Sequence, residues 1–592
     1  MLRWSSRCLP GFSILILVSL LFLAFSDHLG WDLWRRWTPA RPRKPDPDLP
    51  HGLNLAQLVF AIYTVVIHLN MFTFTIRLLW SLFWVTRKTQ QVFQRRSILI
   101  EGASTLDLTN NPLLDLSDMH SPLAGESIPK TQTDELVHAI IVPNYREDVD
   151  TLRTTLSVLA SHPNARSHYE IYLAMEEKEA TAVEKAMKLG ATFDTSFRSI
   201  QTTFHPYGID GEIPGKGSNV AFAARYIVDV HHEALRMETC NIIITVIDAD
   251  THLARDYFTE IQRIHDLNPT EAERTLYCCP IIFDRNSNES PVLVRCADLL
   301  WGFAGLSTMY PGTVLAIPTS VYSLSLSLAE KVGGWDSDPT SIGEDMHMLL
   351  KCYFETAGNL ITQAIYVPAS QCNVSSDARR GWRRVLDTCI ARYRQALRHM
   401  WGALDSGFAL RRTVGNLRFH RRCFVLRPRQ LALLHLLWEA HFLPCHVTIL
   451  LAFSVFYTLF NPTEHLHPTL AFAFSSTNTL RTLSFIGMNL AISLYEGWHT
   501  LCVETRMQDM QIANISGTGC SRRAWYTPQC LLERVTFPIA GTLFGAVPTL
   551  HAAFSHFWTD RLEYRVSKKP CFESEVMIIS LQSEDYTAGS QK

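Results

Sequence analysis

Two carboxylates one residue apart, Asp248-Ala249-Asp250, directly follow the apolar run NIIITVI at 241–247. At the carboxyl end of a buried strand such a pair suits a divalent cation that bridges to phosphate oxygens. His252 stands close enough along the chain to be an extra ligand. Isolated D-x-D strings are usually solvated; the strand end is what sets this one apart. A second acidic pair, Glu344-Asp345, follows Ile342-Gly343 and opens the helical stretch MHMLLKCYFET. A carboxylate there can serve as general base on an acceptor hydroxyl. The alternative is that Asp345 simply caps the helix. Just upstream, Gly333 and Gly334 permit close backbone approach, and Trp335 can stack on a sugar face.

Three further groups suit a nucleoside diphosphate. Pro143-Asn144-Tyr145-Arg146-Glu147-Asp148 follows the run LVHAIIV at 136–142. Tyr145 can stack on a base and Glu147 can bond a ribose hydroxyl, although an ordinary turn has the same composition. The run HYEIYLAM at 168–175 ends at Glu176-Glu177. A carboxylate there can also reach a nucleoside, or it can be the acidic first turn that a helix dipole favours. The stretch GEIPGKGSN at 211–219 presents backbone N–H groups and the Lys216 ammonium to a diphosphate. It lacks the G-x-x-x-x-G-K-[ST] spacing, which excludes a P-loop NTPase. Finally Gln395, Arg398 and Trp401 recur every three residues in the basic, aromatic stretch 380–404. They share one face of an amphipathic helix suited to a membrane surface, with Arg398 able to hold a leaving diphosphate.

The elements that must position these groups alternate. Strand-like runs at 136–142, 168–175 and 241–247 are followed by helical patterns at 148–160, 177–190 and 253–267, the second ending on Gly190 as a C-cap. Such alternation implies an α/β fold with a mostly parallel sheet, whose ligands sit at the carboxyl ends of the strands. Adjacent Cys278 and Cys279 read as core residues.

Uncharged runs at 8–26, 51–76, 440–463 and 535–559 are each long enough to cross a bilayer as a helix. The run 465–495 is split by Arg481 and reads as one tilted span, two short ones, or a span and an interfacial piece. Five spans are expected, with six as the alternative. Arg87, Lys88, Arg95 and Arg96 follow the second run, and Arg411, Arg412, Arg418, Arg421, Arg422, Arg427 and Arg429 precede the third. This basic bias predicts that 97–430 is cytosolic. Arg35, Arg36, Arg41, Arg43 and Lys44 run against the bias, unless residues 1–26 are a cleaved signal. The expected organisation is an N-terminal membrane region (1–96), a linker (97–135), a catalytic α/β domain (136–378), interfacial helices (379–430), a C-terminal membrane region (431–559) and a polar tail (560–592).

Composition narrows the class. With 54 Lys and Arg against 56 Asp and Glu, the net charge of −2 gives no footprint for a nucleic-acid binder. Apolar residues at 47% and charged residues at 19% do not suit a disordered chain. The 14 cysteines are scattered without a C-x-x-C pair, so neither a disulfide scaffold nor a zinc ribbon is indicated.

Taken in order, the motifs resemble those of membrane-integrated family 2 glycosyltransferases, the group of the cellulose, chitin and hyaluronan synthases. Residues 143–148, Asp248-Ala249-Asp250, Gly343-Glu344-Asp345 and Gln395-Ala396-Leu397-Arg398 match that family's nucleoside strand, D-x-D, [T/G]-E-D and Q-x-x-R-W. The resemblance covers about residues 136–404. It departs at His399, which stands where the family has Trp, with Trp401 displaced two residues on. It departs at Glu176 or Glu177, where Asp is usual. Tyr564-Arg565-Val566-Ser567-Lys568-Lys569 is only loosely similar to the family's F-x-V-T-x-K loop.

The resemblance implies a GT-A domain embedded between transmembrane helices and inverting transfer from a nucleotide sugar, expected to be a UDP-sugar, to a growing polysaccharide, with export through the spans. By the same resemblance Asp345 is the base, and Asp250, with Asp248 and His252, holds Mg or Mn. Lys216 and Arg398 add charge stabilisation, while Glu147 and Glu176 hold the nucleoside. The alternatives are transfer of a single sugar to a polyprenyl phosphate or sterol, and a transporter with a non-catalytic domain of this type. The mark of a transporter is charge inside spans, for which Arg481 and Glu439 are the nearest candidates.

Overall fold

A computed structural model describes residues 2–25, 53–102, 136–213, 215–234, 239–375, 381–418, 427–461, 466–513, 515 and 527–562. Most of the expected linker, the basic loop from Arg35 to Lys44, Arg421 and Arg422, and the stretch 564–569 lie outside these residues.

The centre is a seven-stranded sheet in the order β3-β2-β1-β4-β8-β6-β9. Its strands are β1 Val137–Asn144, β2 Tyr169–Glu176, β3 Ser199–His205, β4 Ile242–Val246, β6 Thr275–Cys278, β8 Tyr322–Ser325 and β9 Ile361–Ala364. Strands β3, β2, β1 and β4 are parallel to one another, and only β8 is reversed against its neighbours. A small second sheet, β5-β10-β7, is formed by His252–Leu253, Ala369–Gln371 and Ile281–Phe283.

All eight residues of β1 are buried, as a sheet covered on both faces requires. Its side chains alternate between two cores. Ala139 and Ile141 join one with the helices Lys216–Ala234 and Val292–Leu306; Ile140 and Val142 join the other with Val149–Ala160, Ala182–Phe193 and Asp256–Leu267. Each fully buried isoleucine there contributes about 1.5–3 kcal/mol. Cys278 and Cys279 are fully buried, as expected of core thiols.

The mostly parallel α/β expectation holds, and several local readings need correction. Gly190 does not end its helix, which runs on to Phe193. Residues 252 and 253 form β5, and the following helix opens only at Asp256. Strand β3 was not read from the sequence, because SIQTTFH is mostly half-buried and polar.

Among the described residues, three helices are long and apolar enough to cross a membrane: Leu55–Ser97, Leu443–Phe460 and Pro528–Ser555. The run expected at 8–26 is the 17-residue apolar helix Leu9–Phe25, shorter than these. The split run at 465–495 lies within one unbroken 45-residue helix, Pro468–Ile512. Arg481 does not break it: its Nε donates to His68 Nε2 at 3.0 Å on the adjacent helix Leu55–Gly102. Glu439 likewise pairs with Arg77 at 2.6 Å.

The short helix Leu2–Arg7 lies against the helix Leu404–Arg418. Gly407 makes this approach possible, since a Cβ there would stand 2.5 Å from the Ser6 carbonyl oxygen.

Candidate active site

Strands β1, β2 and β4 point their carboxyl ends at one cavity of about 620 Å³. Pro143, Tyr145, Glu147, Glu176, Lys216, Asp248, Asp250, Glu344, Asp345, Gln395 and Arg398 all line it. Six stretches that span about 250 residues of sequence are therefore brought to one place by the fold.

At the end of β1, Arg146 takes a left-handed backbone with φ of 66°. Its N–H donates to Glu179 Oε2 at 2.8 Å, which holds the turn. The flanking Tyr145 and Glu147 both line the cavity as a result, and Glu147 Oε2 accepts from the Tyr145 N–H at 2.6 Å. Glu176 ends β2, and His205 at the end of β3 sits 3.2 Å from it and 2.9 Å from Glu212. Burial opposes charge on this imidazole, but the two carboxylates raise its pKa above the ordinary value. Tyr207, exposed at the same end, has the Lys178 ammonium 4.4 Å from its ring centre.

Lys216 opens the helix Lys216–Ala234 and is the central cation of the cavity floor. Its Nζ lies 2.8 Å from Asp248 Oδ1 and 3.3 Å from Glu344 Oε1. Burial disfavours the ammonium, but Asp248 and Glu344 outweigh it and raise the Lys216 pKa well above its usual value. Burial in turn pushes Glu344 up to about 7 against the pull of Lys216, with Asp345 and Asp248 adding to the rise. Asp345 is raised as well, chiefly by burial. A carboxylate so placed is a better proton acceptor than a solvated one.

The Asp248-Ala249-Asp250 turn is held from three sides. Thr155 Oγ1 donates to the Ala249 carbonyl at 2.8 Å, the Cys372 N–H donates to Asp250 Oδ2 at 3.2 Å, and Arg285 donates to the Asp250 carbonyl. Both carboxylates line the cavity, and carboxylate oxygens are the donors that a hard cation takes.

Three expected residues lie elsewhere. His252 does not line the cavity. As part of β5 its ring turns away, and its Nδ1 accepts from Arg506 at 3.1 Å, so it is not placed as a ligand beside Asp250. Trp335 is buried behind the cavity and donates its indole N–H to Tyr322 Oη at 2.7 Å; that hydroxyl donates to Glu344 Oε1 at 3.3 Å. It therefore supports the acidic pair and offers no face to a sugar. Trp401 is buried against His556 and donates to the Asp560 carbonyl at 3.1 Å. Helical spacing put it on the face of Gln395 and Arg398, but at the last residue of the helix Trp382–Trp401 that face has passed into packing.

No role for the next groups follows from the sequence motifs. His399 lines the cavity and packs edge-on to Trp301 at 4.5 Å. Burial, with Arg398 and Arg392 nearby, drives its pKa well down, so the imidazole is neutral. Trp301 of the helix Val292–Leu306, Ala440 and His441 of the helix Pro428–His441, and Leu562 give the cavity a helical end. Behind Asp345, His347 is clamped between Asp405 Oδ1 at 2.7 Å and Asp336 Oδ2 at 3.1 Å. Burial opposes its charge, but these carboxylates hold its pKa at about 9. The resulting imidazolium ties the helix Glu344–Glu355 to Leu404–Arg418.

Residues 243–476, less than half of the chain, match the family described as Glycosyl transferase family group 2. The match takes in Asp248, Asp250, Glu344, Asp345, Gln395 and Arg398. No curated protein matches the chain. Among solved structures it is similar to the mannosyltransferase PcManGT from Pyrobaculum calidifontis in complex with GDP-Man and Mn2+. The identity is 13%, the TM-score 0.37, and the alignment covers 75% of this chain and 97% of that one. It is also similar to residues 1–349 of S. aureus TarS, at 10% identity and a TM-score of 0.29, covering 65% of this chain and 90% of that one. A third similar structure is M. tuberculosis glucosyl-3-phosphoglycerate synthase with UDP, at 16% identity and a TM-score of 0.22, covering 43% and 78%. The fold is GT-A-like, with a mostly parallel central sheet and apolar helices that could cross a membrane.

Proposed function

We propose that this chain, whose residues 243–476 are of the glycosyl transferase family group 2 type, moves a sugar with inversion from a nucleotide-sugar donor to an acceptor hydroxyl. The observation that carries this reading is the single cavity on which Glu147, Glu176, Lys216, Asp248, Asp250, Asp345 and Arg398 converge.

In this reading Tyr145, Glu147 and Glu176 hold the nucleoside. Asp345 accepts the proton of the acceptor hydroxyl, whose oxygen attacks the anomeric carbon from the side opposite the diphosphate. The carbon–oxygen bond to the diphosphate breaks, and the charge passes to the leaving group. Lys216 and Arg398 stabilise that charge where it develops. Asp248 and Asp250 would hold Mg or Mn. Such a cation supplies Lewis-acid stabilisation of the diphosphate oxygens. Glu344, paired to Lys216 and supported by Tyr322, fixes the ammonium.

The acceptor we assign is a growing polysaccharide, and the donor a UDP-sugar. A second reading, a lipid-borne acceptor, draws support from Ala440, His441 and Leu562 at the helical end of the cavity, where the apolar helix Leu443–Phe460 begins. The catalytic region is assigned to the cytosolic side on the basic flanks given above. Purified full-length protein in detergent, with Mn or Mg and a panel of nucleotide sugars, tests the assignment through release of nucleoside diphosphate. Release with one donor, abolished by Asp345→Asn, is expected. If no donor is bound or cleaved, the reading fails.

A further inference from the structure

Asp250 is buried, and its surroundings lead away from the cavity to a helix that contributes nothing to the cavity wall. Arg506, near the end of Pro468–Ile512, is buried. Its Nη1 donates to Asp284 Oδ2 at 2.7 Å and its Nη2 to His252 Nδ1 at 3.1 Å. Asp284 follows β7 directly, and its other oxygen accepts from Ser370 Oγ of β10 at 2.6 Å. In the small sheet Ser370 pairs with His252 on one side and Ile282 on the other.

Each strand that Arg506 grips is one or two residues from a contact to the cation turn. His252 lies two residues after Asp250. Arg285, next to Asp284, donates to the Asp250 carbonyl. Gln371, next to Ser370, donates to Thr251 Oγ1 at 2.8 Å, and the Cys372 N–H reaches Asp250 Oδ2 at 3.2 Å. The Arg506 guanidinium thus bonds His252 of β5 and Asp284 after β7 and reaches β10 through Ser370, and the segments beside these contacts hold Asp250 by its carbonyl, its carboxylate and its following residue.

We infer that Arg506 is a positioning residue for cation binding, acting through the β5-β10-β7 sheet to fix the Asp250 carboxylate. This rests on the proposed reading of Asp250 as a cation ligand. The long helix Pro468–Ile512 therefore sets the geometry of the turn without touching substrate. Residues that orient ligands from behind are worth about 10–100-fold in metal affinity.

The test measures Mn2+ affinity of the full-length protein, by the electron paramagnetic resonance signal of free Mn2+ with nucleoside diphosphate present. Arg506→Lys keeps the charge and loses the fork. Ser370→Ala removes one contact to Asp284 and leaves strand pairing intact; it decides the matter should Arg506→Lys fail to fold. Both variants are expected to bind Mn2+ about tenfold more weakly, with turnover restored at saturating Mn2+. Unchanged Mn2+ affinity, or lowered melting temperature alone, in variants of a protein whose Asp250→Asn form has lost affinity, would overturn the positioning role and leave the cation reading standing. Unchanged affinity in Asp250→Asn overturns the cation reading, and this inference with it.

Discussion

The ammonium of Lys216 stands 2.8 Å from Asp248 Oδ1, so the chain itself neutralises the first carboxylate of the Asp248-Ala249-Asp250 turn. A second carboxylate, Glu344, shares the same ammonium. Lys216→Ala would leave both acids without their buried partner and would remove one charge from the departing diphosphate. Loss of such a group lowers kcat by about 10²–10³-fold. The rate of nucleoside diphosphate release measures this, and Lys216→Arg is expected to retain part of it.

Removal of divalent ions with a chelator is expected to stop turnover reversibly, and Asp250→Asn to raise the Mn2+ concentration needed for half-maximal rate. Asp250 lines the cavity while the Lys216 ammonium already neutralises Asp248, so Asp250 is expected to carry the larger share of cation binding. Titration of the rate with Mn2+ distinguishes this from an equal effect of Asp248→Asn.

Two tryptophans at the site are expected to act differently. Trp335→Phe deletes the N–H donated to Tyr322 and is expected to lower kcat with the acceptor KM unchanged. Trp301 forms part of the cavity wall, and Trp301→Ala is expected to raise the acceptor KM about 3–10-fold, the worth of a lost ring contact. The KM-against-kcat split of the two variants is the measurement.

His347 makes stability depend on pH. Its folded pKa of about 9 exceeds the ordinary 6.5, so the stabilisation from its pairing is complete below pH 6.5 and is lost as pH rises through 9. The shift corresponds to something on the order of 3 kcal/mol. His347→Gln is expected to lower the melting temperature most near pH 6.5 and least above pH 9, read by thermal unfolding in detergent.

The sheet and the acidic motifs were legible in the sequence because apolar runs such as 136–142 stop abruptly at polar clusters. A buried strand has one carboxyl end, and whatever follows it is delivered to the ligand edge. Glu147, Glu176 and Asp250 follow that rule, while Lys216 and Asp345 reach the cavity from the first turns of helices. His252 escaped it, since proximity in sequence says nothing about which side of a short strand a ring faces. Trp335 and Trp401 escaped because an aromatic ring near a motif satisfies a packing demand as readily as a substrate contact. Trp301 and His347 carried no signal, as Trp301 meets His399 about 100 residues away and His347 meets Asp405 about 60 away, and only the fold brings them together.

The seat of Ser6 on Gly407 has a bearing on biosynthesis. About 400 residues of sequence separate the two sides of that contact. At about 5–20 residues per second, a ribosome takes on the order of 20–80 s to make the second surface after the first. Through that interval the helix Leu2–Arg7 has no Leu404–Arg418 to rest on, and the backbone approach closes only once most of the catalytic sheet has been translated. A side chain at position 407 would be felt at that late joining step, as a loss of mature protein with the cavity's own residues untouched.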